Sequence, residues 1–282
     1  MAVLGRRLAN APFWVRWPIK WVIFGVVVFL VCYPYPSLFR RHLQNWRHAD
    51  QLPDPNEPLL QPLLHDLDAH LAARGVTTSA PADWLRQVQI FVNKRVPYKY
   101  DWETWGVADY LPTLPEVIRQ GAEDCDGRAV VAAALIRAKI GQAHLVGGSS
   151  HIWVSSPLGD TMGPMGQPSI ASSPEGMSIR WLDFINLGEL AVNISLFPIA
   201  REAIIVLTAW LLLLPRGFRK WQALLGLLLL IEAWIMFRLA GHYAYQPSSW
   251  GARWALLHAV AALVVLDLDP RRFEKNTDRS VS

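Results

Sequence analysis

Two residues of this 282-residue chain have side chains suited to nucleophilic chemistry and lie a short distance apart. Cys125 stands in the segment GAEDCDGRA, and His151 opens the segment HIWV. A thiolate is a strong nucleophile, and an imidazole within hydrogen-bonding reach can take the thiol proton as a general base. The pair therefore indicates chemistry that passes through a covalent thioester.

The element that carries Cys125 is predicted from the residues that follow it. Asp124 suits the N-cap of an apolar helix through AVVAAALIRAK, and Gly141 suits its C-terminal end. Cys125 then lies in the first helical turn, where the helix dipole and unpaired N–H groups favour a thiolate. Asp124 and Asp126 oppose this effect unless they face away or pair with Arg128.

The element that carries His151 is predicted to be a β-strand. Residues 143–156, AHLVGGSSHIWVSS, alternate and are rich in β-branched side chains, which indicates one or two strands separated by a turn at Gly147–Ser150. His151 begins the second strand. A helix packed on these strands allows the thiol and the imidazole to meet, as in papain-type chemistry.

Three segments in this order resemble the transglutaminase-like superfamily: VPYKYD at 96–101, LPEVIRQGAEDCDGRA at 114–129 and HIWV at 151–154. The resemblance covers roughly residues 80–165. It implies a papain-like α+β fold, with Cys125 as the nucleophile and His151 as the general base. It also implies hydrolysis of amide bonds, or acyl transfer from them to an amine, on a peptide or other amide substrate and without a cofactor.

The third catalytic residue is harder to assign, because the family places an Asp on the strand beside the His. A hairpin turning at Pro157–Gly159 puts residues 163–165 opposite His151, and none of them is acidic. Asp160 lies several positions before these residues, and at about 3.3 Å per residue this places it too far from His151. Asp183, in SIRWLDF, is preferred, and it requires residues 156–177 to form a long excursion. A site without an acid is the third alternative.

Composition places this domain in a membrane protein. Hydrophobic residues make up 52% of the chain and charged residues 18%, with 14 Trp, which is too apolar for an ordinary soluble protein. The net charge of +4 is unevenly distributed, because residues 40–190 carry more acidic than basic side chains and both ends are basic. This distribution argues against nucleic-acid binding.

Four apolar segments are long enough to span a bilayer. They are Trp17–Pro36, Ile194–Pro215, Trp221–Ala240 and Trp250–Leu268. Basic residues flank the N-terminus, the link between the second and third segments, and the C-terminus, which predicts that both termini are cytoplasmic. A cleaved signal peptide is the alternative for the first segment, and it lacks a small-residue cleavage site.

The expected organisation is an extracytoplasmic α+β domain inserted between transmembrane helices of a multi-pass inner-membrane protein, periplasmic if the cell is Gram-negative. The predicted parts are residues 1–39 with the first span, the domain at 40–190, three spans at 191–270, and a cytoplasmic tail at 271–282. Residues 40–60 are polar and rich in Pro, which indicates a linker. Helices are predicted at 62–74, 81–96 and 113–120.

Other functions remain open. The domain is alternatively a catalytically inactive module that binds a partner in the membrane, or the helices transport a solute. No zinc site is expected, since one Cys with His144 and His151 gives no known ligand spacing, and no other metal or cofactor is expected. Within the spans, Glu232 and His258 are expected to pair with each other. The expected partners are the bilayer, an amide substrate and an unidentified membrane protein, not nucleic acid.

Overall fold

A computed structural model describes residues 12–148, 151–164, 169–174, 176–180, 187–214, 219–242 and 249–267. The chain divides into two compact units. We call Tyr33–Asn186 the α+β unit. We call Met1–Cys32 together with Leu187–Ser282 the helical unit. The four-part division predicted from the sequence uses slightly different boundaries and stays a prediction.

The α+β unit contains helices along its first two thirds and strands afterwards. Its helices are α2 (Pro36–Arg47), α3 (Gln61–Ala72), α4 (Pro81–Arg95), α5 (Asp101–Thr104), α6 (Leu114–Gln120) and α7 (Cys125–Ile140), with short 3-10 turns at Ala49–Gln51 and Pro58–Leu60. Its strands are β1 (His144–Gly147), β2 (Ile152–Ser156), β3 (Gly159–Thr161), β4 (Ile170–Ser173) and β5 (Gly176–Ile179).

The five strands form one antiparallel sheet in the order β3-β2-β1-β4-β5. Leu145 pairs with Val154, and Val154 in turn pairs with Thr161. Helix α7 packs against β1 and β2, and α4 packs against β3. The prediction of an α+β domain in a chain with membrane-capable helices is therefore confirmed at this level.

Helix α7 is the most deeply buried helix of the unit. Every residue from Ala129 to Ile136 is at most 1% exposed. Ala dominates this stretch, and its small side chain lets the helix backbone approach the sheet closely while it favours the helical conformation. Asp124 caps the N-terminus by accepting the backbone N–H of Asp126 at 3.1 Å, and Gly141 ends the helix with a φ of +84°.

The expectation of a linker at residues 40–60 is wrong, because most of its first part belongs to α2. Asn45 Nδ2 donates to the carbonyl of Leu111 at 2.7 Å, and the N–H of Leu111 donates to His42 Nδ1 at 3.0 Å. Arg41 pairs with Glu116. The polar composition that suggested a linker instead supplies hydrogen bonds to the rest of the α+β unit.

Among its described residues, the helical unit contains three helices long and apolar enough to span a membrane. They are α1 (Phe13–Cys32), α10 (Lys220–Gly241) and α11 (Ser249–Asp267). The remaining predicted span is instead a pair of helices, α8 (Leu187–Leu196) and α9 (Ile199–Leu213), which bend by 116° at the break between them. The predicted span at 194–215 therefore contains a break, where Pro198 provides no N–H donor, and its crossing of the membrane stays a prediction.

The break between α8 and α9 is stabilised by Arg238 of α10. Its guanidinium donates to the carbonyls of Ile194 at 3.1 Å, Ser195 at 2.8 Å and Phe197 at 3.0 Å. It also pairs with Glu202 at 2.5 Å, which accepts a further hydrogen bond from Trp234. Carbonyls at the break thus gain a cationic donor, and that of Ile194 also accepts the N–H of Phe197 at 3.2 Å. An apolar environment requires such partners.

The expected pairing of Glu232 with His258 is confirmed, with 3.5 Å between Glu232 Oε1 and His258 Nε2. Glu202 of α9 and Arg238 of α10 lie on consecutive helices, and their pairing depends on how these helices pack.

We expect Arg238→Ala to destabilise the detergent-solubilised chain by about 2 kcal/mol, since it removes four hydrogen bonds worth about 0.6 kcal/mol each in membrane helices. Thermal unfolding measures the effect. Arg253→Ala is the matched control, because its guanidinium lies 5.6 Å from the Trp250 ring and has no part in the break. Equal stability of the two variants would contradict the role of Arg238.

Candidate active site

Cys125 is the first residue of α7, where the sequence placed it. Its partly buried sulfur accepts a hydrogen bond from the backbone N–H of Ile152, the first residue of β2. Its thiol also donates to Asp126 Oδ1 at 3.3 Å. The helix end and the strand start therefore meet at the sulfur, one residue from His151.

His151 lies directly before β2 and is half-buried. Its ring stacks on that of Trp153, with 6.2 Å between centroids and 17° between planes. Its Nε2 lies 2.9 Å from the carbonyl oxygen of Met162. Both predicted site residues thus lie at the same end of β2, although the hydrogen bonds described for the thiol and for the imidazole run to other groups.

The contact with Met162 fixes the chemical form of the imidazole. A carbonyl oxygen only accepts hydrogen bonds, so the nitrogen that faces it, Nε2, must carry the proton. In the neutral ring Nδ1 is then the nitrogen with a free lone pair. A backbone carbonyl thus does at His151 what the family's acidic residue was expected to do, which is to orient the ring and select its tautomer.

The position of this carbonyl depends on an uncommon backbone conformation. Met162 has a φ of +68° and is, among the residues that the structure describes, the one non-glycine residue with positive φ. Such a conformation costs on the order of 1 kcal/mol for an L-residue. The next residue, Gly163, has a φ of +79°, and a Cβ there would lie 3.2 Å from His151 Nε2. The backbone conformations of Met162 and Gly163 thus let the end of the hairpin approach the imidazole closely.

The two predicted candidates for the third residue lie elsewhere. Asp160 is paired with Ser155 in the sheet, and its Oδ2 accepts a hydrogen bond from Trp153 Nε1 at 3.2 Å. Its described contacts therefore do not include His151. Asp183 lies outside the described residues. The roles of all three predicted residues, and of the acid in particular, stay predictions.

The tyrosine-containing segment at 96–101 runs alongside the residues before α7. Glu123 donates its N–H to the carbonyl of Pro97 at 3.0 Å and accepts the N–H of Lys99 at 3.3 Å. Tyr98 thus lies near the thiol, since the negative charges of Cys125 and Asp124 contribute, after burial, to raising its pKa. Arg128 lies over the Tyr98 ring, at 5.0 Å from its centroid.

The thiol is less acidic than the helix position suggested. Burial raises the pKa of Cys125 well above its ordinary value, and the neighbouring charges of Asp126 and Asp124 raise it further. Arg128 does not form an ion pair with either carboxylate in the described part of the chain, because its guanidinium donates to the carbonyl of Val96 at 2.8 Å. Burial and these two carboxylates therefore oppose the preference for a thiolate that the helix dipole provides.

Three carboxyl groups beside the thiol form a second feature of the site. Asp101, Glu123 and Asp124 each offer an oxygen, and these oxygens lie within 4.8 Å of one another. Burial raises the pKa of Asp101 to about 11, that of Glu123 to about 7 and that of Asp124 to about 8. We call these three residues the carboxylate cluster.

Sequence reasoning gave no role to Asp101 or Glu123. Two of the segments that resemble the transglutaminase-like superfamily contain these residues, Asp101 in 96–101 and Glu123 in 114–129. Their side chains meet only because residues 97–99 pair with residue 123. The sequence signal for this cluster is the run of three acidic residues among positions 123–126, at the start of α7.

Comparisons of the chain with protein-family models, with curated proteins and with solved structures found no match. The resemblance to the transglutaminase-like superfamily consequently rests on the residues quoted above and stays a prediction.

The raised pKa of Cys125 predicts slow alkylation at neutral pH. The rate should increase only above about pH 9, whereas a free thiol has an ordinary pKa of about 8.5. Asp126→Asn removes a like charge beside the sulfur, so it should lower this pKa and increase the rate at pH 8 about three- to tenfold. Iodoacetamide labelling in a Cys32→Ala background measures both effects.

Asp54→Asn is the matched control for that experiment. Asp54 accepts the N–H of Asn56 at 2.9 Å, and an asparagine side chain can accept the same hydrogen bond. The Asp54→Asn variant should therefore leave the alkylation rate unchanged. A rate that is already maximal at pH 7, or one that does not respond to Asp126→Asn, would contradict the described environment of the sulfur.

Proposed function

We propose that the chain is a membrane-attached, transglutaminase-like cysteine hydrolase or transamidase that acts on amide bonds. The observation that supports this most is the meeting of Cys125 with the first N–H of β2, one residue after His151. The Nε2–H form of His151, selected by the carbonyl of Met162, leaves Nδ1 as the base. A papain-like arrangement of helix and sheet is part of this proposal.

The reaction follows from these groups. His151 Nδ1 takes the proton of the Cys125 thiol while Sγ attacks the substrate carbonyl carbon. The tetrahedral intermediate collapses as the imidazolium returns this proton to the departing amine, which leaves a thioester on Cys125. Water or a second amine then attacks the thioester, loses its proton to His151 and releases the acid or the new amide, and the thiol regains the proton.

The raised pKa of the thiol affects which protonation state starts the reaction. Because a preformed thiolate is disfavoured beside Asp124 and Asp126, the proton moves to His151 together with the attack, as it does for a serine nucleophile. The carbonyl of Met162 keeps Nε2 protonated and thereby stabilises the imidazolium that forms.

The second candidate function is a catalytically inactive module that binds a partner. The hydrogen bond from the Cys125 thiol to Asp126, rather than to His151, favours it. So does the absence of an acidic side chain among the described contacts of the imidazole. In this alternative the cysteine is a small, partly buried side chain of the fold.

We expect the purified full chain to be acylated at Cys125 by p-nitrophenyl acetate and then to release acetate. His151→Ala should slow acylation by about 10²–10⁴, the usual contribution of a general base. Release of p-nitrophenol gives the rate, and mass spectrometry of the peptide that contains Cys125 identifies the acetyl group.

His144→Ala is the matched control, because His144 lies on the neighbouring strand β1 and contacts Asp50 at 3.1 Å rather than the thiol. Equal rates for the His151 and His144 variants would eliminate the catalytic proposal in favour of the binding module. An acetyl group found on Cys32 would also count against it.

We further propose that the α+β unit faces the outside of the cytoplasmic membrane, with both termini inside. The supporting pattern is the basic residues beside the N-terminus, at 216–220 and at 271–275. This orientation requires an even number of crossings, so the bent pair α8 and α9 must together carry the chain across the bilayer.

Fusions to alkaline phosphatase and to a fluorescent protein test this orientation. Phosphatase activity is expected for fusions within residues 60–160, and cytoplasmic fluorescence is expected for a C-terminal fusion. A C-terminal fusion with phosphatase activity would show an odd number of crossings and would make α8 and α9 a re-entrant pair.

A further inference from the structure

Two ionisable side chains lie at the middle of two neighbouring membrane-capable helices. Glu232 belongs to the 22-residue α10 and His258 to the 19-residue α11, and these helices pack against each other. With a rise of about 1.5 Å per residue, both side chains are about 13 Å or more from either end of their helix. When α10 and α11 cross a bilayer, the pair therefore lies near the centre of the hydrocarbon layer.

The pair lies on the outer surface of α10 and α11. The side chain of Glu232 is 52% exposed and that of His258 is 23% exposed. Ionisable side chains within a membrane are costly, and they almost always face the interior of a helical bundle or a water-filled cavity. The exposure of Glu232 therefore indicates that a group outside this single chain covers the carboxylate.

The polar contacts within the chain leave hydrogen-bonding capacity on the carboxylate. Nδ1 of His258 lies 2.8 Å from the carbonyl oxygen of Trp254, so this nitrogen carries the proton and Nε2 faces Glu232. The distance from Nε2 to Oε1 of Glu232 is 3.5 Å, beyond the range of about 2.7–3.2 Å that is typical of N–H···O hydrogen bonds. Among the described residues, no group donates a hydrogen bond to the Glu232 carboxylate. It therefore retains room for a further donor.

Glu232 stands within a stripe of exposed side chains on α10, which we call the Glu232 face. Its members follow one another at alternating intervals of three and four residues, the spacing of helices that pack side by side in a left-handed bundle. They are Trp221, Leu225, Leu228, Glu232, Ile235 and Leu239, each at least 39% exposed. Contact with lipid explains the apolar members of the stripe. It does not explain a carboxylate among them, and Glu232 is therefore the residue that distinguishes this face from a lipid-facing surface.

The Glu232 face is complementary in charge to a copy of itself. Copies of one membrane protein share an orientation, so a two-fold axis relating two copies runs along the bilayer normal and keeps each residue at the same depth in both. Glu232 and His258 lie 3.5 Å apart and hence at one depth. Glu232 of one copy and His258 of the other are then level with each other. The carboxylate is an acceptor, and the imidazole is a donor at Nε2 when protonated.

We propose that the Glu232 face binds a second copy of the chain, with Glu232 of each copy contacting His258 of the other. The two-fold axis makes this contact twice per dimer. Polar contacts between membrane helices stabilise their association, and the interface also removes the carboxylate from lipid. The proposal rests on α10 and α11 crossing the membrane. It does not depend on the thiol chemistry proposed above.

Resonance energy transfer between full-length copies in phosphatidylcholine liposomes tests the proposal. Some copies have a donor fluorescent protein fused at the C-terminus, and the others have an acceptor. We expect transfer that falls as lipid dilutes the protein. Glu232→Leu or His258→Leu should raise the dissociation constant of the dimer about tenfold or more, since each variant removes both contacts between the copies. Thr208→Leu is the matched control, because it replaces a polar side chain of a different helix, α9, and should leave the transfer unchanged.

Mixing the two variants distinguishes pairing between copies from pairing within one copy. A copy with Glu232→Leu keeps His258, and a copy with His258→Leu keeps Glu232, so a mixed dimer retains one of the two contacts. We therefore expect more transfer in the mixture than for either variant with itself. Circular dichroism checks the folding of each variant, and Glu232→Ala replaces Glu232→Leu if the latter does not fold.

Three results would overturn the proposal. The first is a wild-type chain that shows no transfer beyond that of randomly distributed monomers, which would leave Glu232 to a different membrane protein or to a proton. The second is wild-type transfer that neither substitution at Glu232 nor that at His258 reduces. The third is a mixture that associates no better than the separate variants.

Discussion

Helix α7 begins inside the α+β unit rather than at its surface, and its first turn has to accommodate a thiol, several carboxyl groups and unpaired backbone donors together. Asp124 satisfies one donor as the N-cap, and Asp126 and Glu123 are buried beside it. Burying these groups raises the pKa of each carboxyl and of the Cys125 thiol. Burial of this helix end therefore determines the protonation behaviour of the thiol and the carboxyl groups, on which the chemistry of the site depends.

Backbone groups provide much of the positioning around this helix end. The carbonyl of Met162 orients His151, the N–H of Ile152 contacts the sulfur, and the N–H of Tyr110 holds Asp101. Such contacts do not depend on which side chain stands at the donor or acceptor position. They explain how His151 is oriented in a site where Asp160 is hydrogen-bonded to Trp153 instead.

The helical unit also contains a helix terminus whose polar backbone groups need partners, in a less polar environment. The break at Pro198 frees carbonyls at the end of α8, and Arg238 supplies donors to three of them while Glu202 balances its charge. An apolar environment gives the broken helix no water to replace these bonds. In both units, therefore, a buried helix terminus determines which polar side chains the surrounding elements must provide.

The sequence by itself determined several of the elements and their order. Capping residues, helical periodicity and glycine positions indicated α3, α4, α6 and α7 within about two residues, and the alternation at 143–156 indicated β1 and β2. The apolar segments indicated three helices that can span a membrane. These features depend on local propensity and on apolar patterning, which a single sequence carries.

Only the tertiary structure decided which side chains share one environment. Several features involve residues distant in sequence or groups of the backbone. They are the contacts of α2, which was expected to be part of a linker, the bend between α8 and α9, the Met162 carbonyl at His151, and the meeting of Asp101 with Glu123. None of them is visible in residue types and spacing. The pKa of Cys125 is the clearest case, because the local helix dipole favours the thiolate while the burial that the fold imposes raises the pKa, as do the two neighbouring carboxylates.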